Sequence, residues 1–268
     1  MRIKTITRTP SSPTHATPLL FIHGMWHGAW CWDETFLPFF AEHGYRATAL
    51  SLRGHAGSEG SIRGSSIADY VSDVEQVALQ FETAPVLIGH SMGGFIVQKY
   101  LETHNAPAGV LLASNPHYGL WPAFGRVLRR DPRIVLKALF TWRMYPVVET
   151  PARARWSLFS ADMPEEQALK YHERMDDESF RAFLDLLGLN LAHSKRVKTP
   201  LLVLGAEKDA VISQRDIHAT ARAYGAKAEI FPNTAHDMML EAGSVDENFM
   251  DPKERPEYRC RILGHSGH

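Results

Sequence analysis

The sequence predicts an α/β fold, a mostly parallel sheet flanked by helices with one helical insertion. Three observations carry the prediction. Short continuous apolar runs recur along the chain, as at Leu19–Ile22, Gly109–Ala113 and Leu201–Leu204; an unbroken run suits a strand buried on both faces. Segments with apolar residues every three or four positions alternate with those runs, which places helices between successive parallel strands. The third is Gly89-His90-Ser91-Met92-Gly93, which joins the run Val86–Gly89 directly to a helical pattern at Phe95, Ile96, Val97, Tyr100 and Leu101.

Taken in order, residues 2–6 suit an edge strand and the Pro-, Ser- and Thr-rich stretch 9–18 a loop. Leu19–Ile22 is a central strand that ends in His23-Gly24-Met25-Trp26-His27-Gly28-Ala29-Trp30. Trp32 to His43 reads as a helix stopped by Gly44. Tyr45–Leu50 is the next strand. Ile67, Tyr70, Val71, Val74, Val77, Ala78 and Phe81 then mark an amphipathic helix with Ser66 as its N-cap. After the strands at 86–89 and 109–113 the rhythm breaks at Ser114-Asn115-Pro116. Strand character returns only at 200–205. A helix near Ser213–Tyr224 and a strand near Ala228–Phe231 follow. The implied organisation is a core of residues 1–115 and 196–240, a helical cap of 116–195 over the serine turn, and an atypical tail of 241–268.

Composition narrows the function classes. With 268 residues, 44% hydrophobic and 22% charged, the chain is that of an ordinary globular protein with one sizeable core. A net charge of −1 gives no case for nucleic acid as partner. Cys31 and Cys260, with no C-x-x-C pair, suggest neither a disulfide framework nor a zinc site. The N-terminus carries no apolar signal segment, and no run of about 18 apolar residues exists, so a cytoplasmic location is expected.

Chemistry centres on Ser91. A serine on a sharp turn between strand and helix matches the pattern G-x-S-x-G, in which a strained backbone lifts the hydroxyl clear of the sheet. Gly89 and Gly93 lack a Cβ and let strand and helix approach around it. A serine needs a base and an orienting acid. Asp209, in Gly205-Ala206-Glu207-Lys208-Asp209, and His236, in Asn233-Thr234-Ala235-His236, both follow predicted strands, at the sheet edge where such folds assemble their sites. The order Ser91, Asp209, His236 is the expected one. Asp237 is the nearest rival acid, but its neighbouring position turns its side chain to another face. Asp185 reads as solvated. His23 and His90 are expected to support loops, and His27 and His55 to be partners for nearby backbone. Trp26, Trp30 and Trp32 read as packing, with a place in the pocket wall as the alternative for Trp26.

Through His23-Gly24, Gly89–Gly94, Gly205-x-x-x-Asp209 and His236, roughly residues 19–240 resemble the α/β-hydrolase superfamily, in its serine esterase and lipase-like branch. That resemblance implies that backbone N–H groups of Met25 and Met92 form an oxyanion hole, and that no metal or organic cofactor is used. His23–Trp32 resembles the opening of plant methylesterases and hydroxynitrile lyases. The lyases carry a threonine where this chain has Gly24 and a lysine where it has Asp237. An elbow aspartate, as in haloalkane dehalogenases and epoxide hydrolases, is absent. Relatives that place the acid after the strand at 109–113 have a counterpart here only in Asn115, which carries no charge. The expected function is a serine hydrolase cleaving a carboxylic ester through an acyl-serine intermediate, with a small-molecule acyl substrate. The alternatives are a cofactor-independent dioxygenase and a non-catalytic ligand-binding homologue.

The cap is split by charge. Residues 116–160 hold eight basic residues (Arg126, Arg129, Arg130, Arg133, Lys137, Arg143, Arg153, Arg155) against Asp131 and Glu149; residues 161–187 hold eight acids against three bases. Solvated helix faces in mutual contact are the plain reading. The sharper one turns the basic half, with Val127, Leu128, Ile134, Val135, Leu136, Leu139, Phe140, Trp142 and Met144, toward an anionic acyl substrate or a lipid surface. The tail, with Pro252 and Pro256 and few apolar residues, suits disorder or an irregular wrap.

Overall fold

A computed structural model describes residues 1–241; the expectations for Cys260 and for the tail after Glu241 fall outside the described residues. Their strands are β1 (Thr5–Arg8), β2 (Leu19–Ile22), β3 (Ala47–Leu50), β4 (Val86–His90), β5 (Gly109–Leu112), β6 (Leu201–Ala206) and β7 (Ala228–Phe231). They form one seven-stranded sheet in the order β1-β3-β2-β4-β5-β6-β7. Every pairing is parallel except that of β1 with β3. All residues of β2, β3, β4 and β5 are buried, as their apolar runs require of strands covered on both faces. The serine turn follows β4, the strand at the centre of the sheet.

The helices of the core are α1 (Trp30–Asp33), α2 (Phe36–Glu42), α3 (Ile67–Ala78) and α4 (Met92–Tyr100). Between β5 and β6 come α5 (Trp121–Arg130), α6 (Pro132–Thr141), α7 (Pro151–Leu158), α8 (Glu165–His172) and α9 (Phe180–Leu184). The last core helix is α10 (Gln214–Ala223). Residues 116–193 hold no strand, only an isolated bridge between Arg143 and Ser179. Ser66 caps α3 as expected, and Asp69 returns the bond: the Asp69 N–H donates to Ser66 Oγ, and the Ser66 N–H to Asp69 Oδ2 at 2.9 Å. Ser213 and Asp216 start α10 the same way. Each such reciprocal box satisfies two N–H groups that a helix start leaves open.

The largest differences from the expected boundaries are at two elements. The edge strand runs over Thr5–Arg8 rather than 2–6, because Thr5–Arg8 register against Leu50–Ala47. Residues before it bond to the loop after β3 instead, Arg2 N–H to Glu59 and Lys4 N–H to Ser58. The single helix expected over 32–43 is two, broken at Thr35, whose φ of −140° is not helical. Pro38 explains the break: its ring would clash with the carbonyl of Glu34 in a continuous helix.

Candidate active site

Ser91 sits between β4 and α4 with φ 52° and ψ −115°, a conformation that costs free energy in a residue with a Cβ. The packing around it enforces that turn. A Cβ on Gly93 would lie 2.2 Å from the carbonyl oxygen of Ile22, and one on Gly89 2.3 Å from that of Gly93. The elbow therefore closes only with glycine at both places.

The structure brings Ser91, His236 and Asp209 together from three segments. His236 Nε2 lies 3.0 Å from Ser91 Oγ, and His236 Nδ1 lies 2.7 Å from Asp209 Oδ2. A carboxylate only accepts, so Nδ1 carries the proton and Nε2 is left to accept from the serine hydroxyl. Asp209 is itself held: its Oδ1 accepts the N–H groups of Val211 and Ile212 at 2.7 and 2.8 Å. Burial opposes the charged form of His236, but the Asp209 carboxylate outweighs it and holds the imidazole above its ordinary range, with Asp237 adding to the effect.

Met92 is the first residue of α4, so its N–H stands ahead of the helix's own ladder. Met25 and Trp26 line the cavity above Ser91 together with His236. Trp26 has φ 67° and its indole N–H donates to the carbonyl of Met144 in the insertion, so it both packs and lines the pocket. Trp30 and Trp32 are buried in the core. A Cβ on Gly24 would lie 2.8 Å from His90 Nδ1 and 3.0 Å from Ser91 Cβ, so a threonine there would crowd the nucleophile.

Asp237 points away from His236 Nδ1, as its sequence position suggests. Its fully buried carboxylate faces His27 Nε2 at 3.0 Å and His90 Nε2 at 3.7 Å. Burial disfavours its charge, yet His27 outweighs that and keeps the carboxyl below the usual aspartate range. His27 Nδ1 also donates to the carbonyl of Met25 at 2.7 Å. His27 is thus more than a backbone partner: it joins the Met25 loop to the segment that carries His236. His90 Nε2 donates to the carbonyl of His236 at 2.9 Å, and burial together with the neighbouring His236 pushes its pKa down to about 3. His23, buried and held well below the ordinary histidine range, supports its loop by accepting the Leu52 N–H.

Two further expectations need correction. His55 pairs with Glu178 of the insertion at 3.3 Å as well as with the carbonyl of Arg53. Asp185 is not solvated. It is buried, accepts the N–H of Ile67 at 3.0 Å and pairs with Arg181, so it completes the start of α3 from across the molecule.

The insertion supplies most of the cavity wall. Phe124, Val127, Ile134, Val135, Phe180 and Phe183 line it, and among the described residues no Lys, Arg, Asp or Glu does. Two polar atoms there, Asn115 Nδ2 and Ser157 Oγ, are buried without a hydrogen-bond partner among the described residues; in sequence Asn115 reads only as a stand-in for the acid, and Ser157 is missed. Only the folded insertion brings Ser157 to the cavity that Ser91 lines, and no local pattern marks it. Ligand atoms of His90, His236 and Asp237 approach within 4.8 Å of one another. Both nitrogens of His236 and Nε2 of His90 already face protein partners, and His90 Nδ1 is walled by Gly24, so the set has too few open donors to hold an ion.

The fold and this site define an α/β hydrolase. Residues 19–246 match the model of the alpha/beta hydrolase family, and the chain belongs to that family. Among curated proteins it is similar to the non-heme chloroperoxidase of Burkholderia pyrrocinia, 38% identical over 99 residues, which are 36% of this chain and 35% of that protein. The pyrethroid hydrolase of Sphingobium wenxiniae is 29% identical over 89 residues, 33% of this chain and 31% of that one. The match thus spans about a third of the length of these relatives. A monoacylglycerol lipase from Paleococcus ferrophilus superposes with a TM-score of 0.70 at 17% identity, over 99% of this chain and 100% of that one. A bromoperoxidase from Bacillus anthracis gives 0.64 at 20% identity, over 88% and 89%.

Proposed function

We propose that the protein is a serine hydrolase that cleaves a carboxylic ester through an acyl-Ser91 intermediate. The observation that carries this reading is the unbroken line Asp209–His236–Ser91, with contacts of 2.7 and 3.0 Å and the hydroxyl opening into an apolar cavity. His236 Nε2 takes the Ser91 proton as Oγ attacks the carbonyl carbon. The negative charge on the carbonyl oxygen is met by the N–H groups of Met25 and Met92, each donor of this kind being worth about 3–4 kcal/mol in the transition state. His236 then protonates the leaving alcohol. Water, deprotonated by His236 in turn, releases the acid and restores Ser91. Asp209 holds the ring in the required tautomer throughout. The apolar lining favours an ester whose acyl or alcohol part is a hydrocarbon chain or ring, in line with the hydrolase name of the Sphingobium wenxiniae relative.

Hydrolysis of p-nitrophenyl esters from acetyl to palmitoyl, with wild type beside Ser91→Ala, tests the reading. Turnover that peaks at one chain length and disappears in the variant supports it. Rates that ignore the substitution, with oxygen uptake on an aromatic alcohol, would replace it by cofactor-independent oxygenation. No turnover and no labelling by a serine-directed phosphonate would leave a ligand-binding protein. Because one relative is named a chloroperoxidase, a halogenation assay is the matching control.

A further inference from the structure

The charge split of the insertion resolves in the structure into two surfaces with different duties. Three of the eight acids are spent on the core: Asp176 accepts the Ala56 N–H, Glu178 accepts the Tyr70 hydroxyl proton, and Asp185 accepts the Ile67 N–H. In the basic half Arg126 reaches Asp216 of the core, and Lys137 and Arg143 pair with Glu149 and Asp177, while Arg129, Arg130 and Arg133 stay exposed. Residues 121–143 hold six basic residues and one acid in a chain whose net charge is −1. None of the six lines the cavity over Ser91, so this charge does not recognise a substrate acid. The exposed arginines of α5 and α6 share these two helices and the turn after them with a set of uncovered apolar side chains. Leu128, Leu136, Phe140 and Trp142 are all exposed, Phe140 to 90%. Arg129 and Arg133 are exposed beside them.

The two faces of α6 explain the arrangement. Ile134, Val135 and Ala138 turn inward and wall the pocket, whereas Leu136, Lys137 and Phe140 turn outward. Leu139 belongs to both: it lines the pocket and is half exposed. The exposed apolar patch is therefore continuous with the pocket wall. A second copy of the chain is a poor occupant, because a two-fold contact through this face would set the basic rim against itself. A surface that is apolar inside and anionic at its boundary fits both features. Trp142 and Trp121, both exposed, are of the type that settles at such a boundary.

We propose that the α5–α6 corner docks on an anionic lipid surface, and that apolar substrate passes from there past Leu139 to Ser91. The second half rests on the esterase reading; the docking does not. The test is co-sedimentation of the full chain with vesicles of phosphatidylglycerol and phosphatidylcholine, against vesicles of phosphatidylcholine alone. Wild type is expected to pellet with the anionic vesicles and to be released as salt rises. The double substitution Arg129→Gln, Arg133→Gln should weaken binding roughly thirty-fold, at about one surface cation's attraction per residue, and Phe140→Asp should abolish it. Both variants should keep wild-type turnover of p-nitrophenyl butyrate, since neither touches the pocket. Equal binding of wild type and variants, or no binding of wild type to either vesicle, would overturn the proposal. So would a wild-type dimer that Phe140→Asp dissociates, which would give the face to a second copy. Vesicle binding without any ester turnover would end the esterase reading and leave the docking standing.

Discussion

In the proposed hydrolysis His236 Nε2 can take a proton from Ser91 only while it is unprotonated, so activity should follow the titration of this ring. Burial works against its charged form, but Asp209 at 2.7 Å more than offsets that and holds the ring above the ordinary value of 6.5. The sign follows. kcat/KM should rise with pH and level off only above a midpoint that lies higher than 6.5, because the base form appears later than in a free histidine. Asp209→Asn removes the influence that raises the ring and leaves burial to lower it. The midpoint should move to lower pH while kcat falls about 10⁴-fold, as in other serine triads that lose the acid's charge. A pH–rate profile of both proteins on one p-nitrophenyl ester checks the two parts together. A midpoint that stays in place would mean that Asp209 does not govern His236.

At the scale of elements, the elbow is a contact between β2, β4 and α4 with no room for a methyl group. A Cβ on Gly93 would lie 2.2 Å from the Ile22 carbonyl and 2.5 Å from that of His23. Gly93→Ala must therefore push α4 off the sheet or bend the loop that carries Met25. Overpacking of this kind costs about 1–3 kcal/mol, so thermal unfolding should come several degrees earlier and ester turnover should fall with it. A variant as stable and active as wild type would show that the turn has slack. The elbow was legible because its cause is local: glycines at fixed offsets, an apolar run before, a helical period after. The Ser66 cap of α3 and the runs that became β2 and β4 were legible for the same reason. The ties made at long range were not. Asp185 and Glu178 look in sequence like any acids on a helix surface, and nothing near them announces Ile67 or Tyr70 as partners. His27 and Asp237 are 210 positions apart, and only the closed fold pairs them at 3.0 Å. The acid at Asp209 could be placed because it follows a strand end, where the sheet rather than a neighbour sets its position.

For the whole molecule, the insertion is fastened unevenly. Its second half is bonded into the core: the Asp176 N–H donates to the carbonyl of Trp26 at 2.8 Å, Ser179 Oγ donates to that of Ser65 at 2.6 Å, and Asp185 holds the start of α3. Among the described residues helix α5 keeps one charged tie to the core, Arg126 with Asp216. The polar side-chain ties of α6 and its flanks run within the insertion, from Lys137 to Glu149 and from Asp131 to Arg153; its inner face rests on the pocket by apolar contact alone. Local opening follows the elements with the fewest buried bonds to the rest of the fold. The cavity over Ser91 should thus open by movement of α6, with α9 and the turn after it fixed, and not by release of the insertion as one body. Hydrogen exchange separates these cases. Backbone amides of 132–141 should exchange faster than those of 180–189 in the free protein. Labelling Ser91 with a phosphonate that carries a long alkyl chain should slow the first set, because the chain fills the space beneath Ile134 and Val135, and should leave the second unchanged. Equal exchange in the two segments before labelling, or equal protection after it, would show that the insertion moves as a unit.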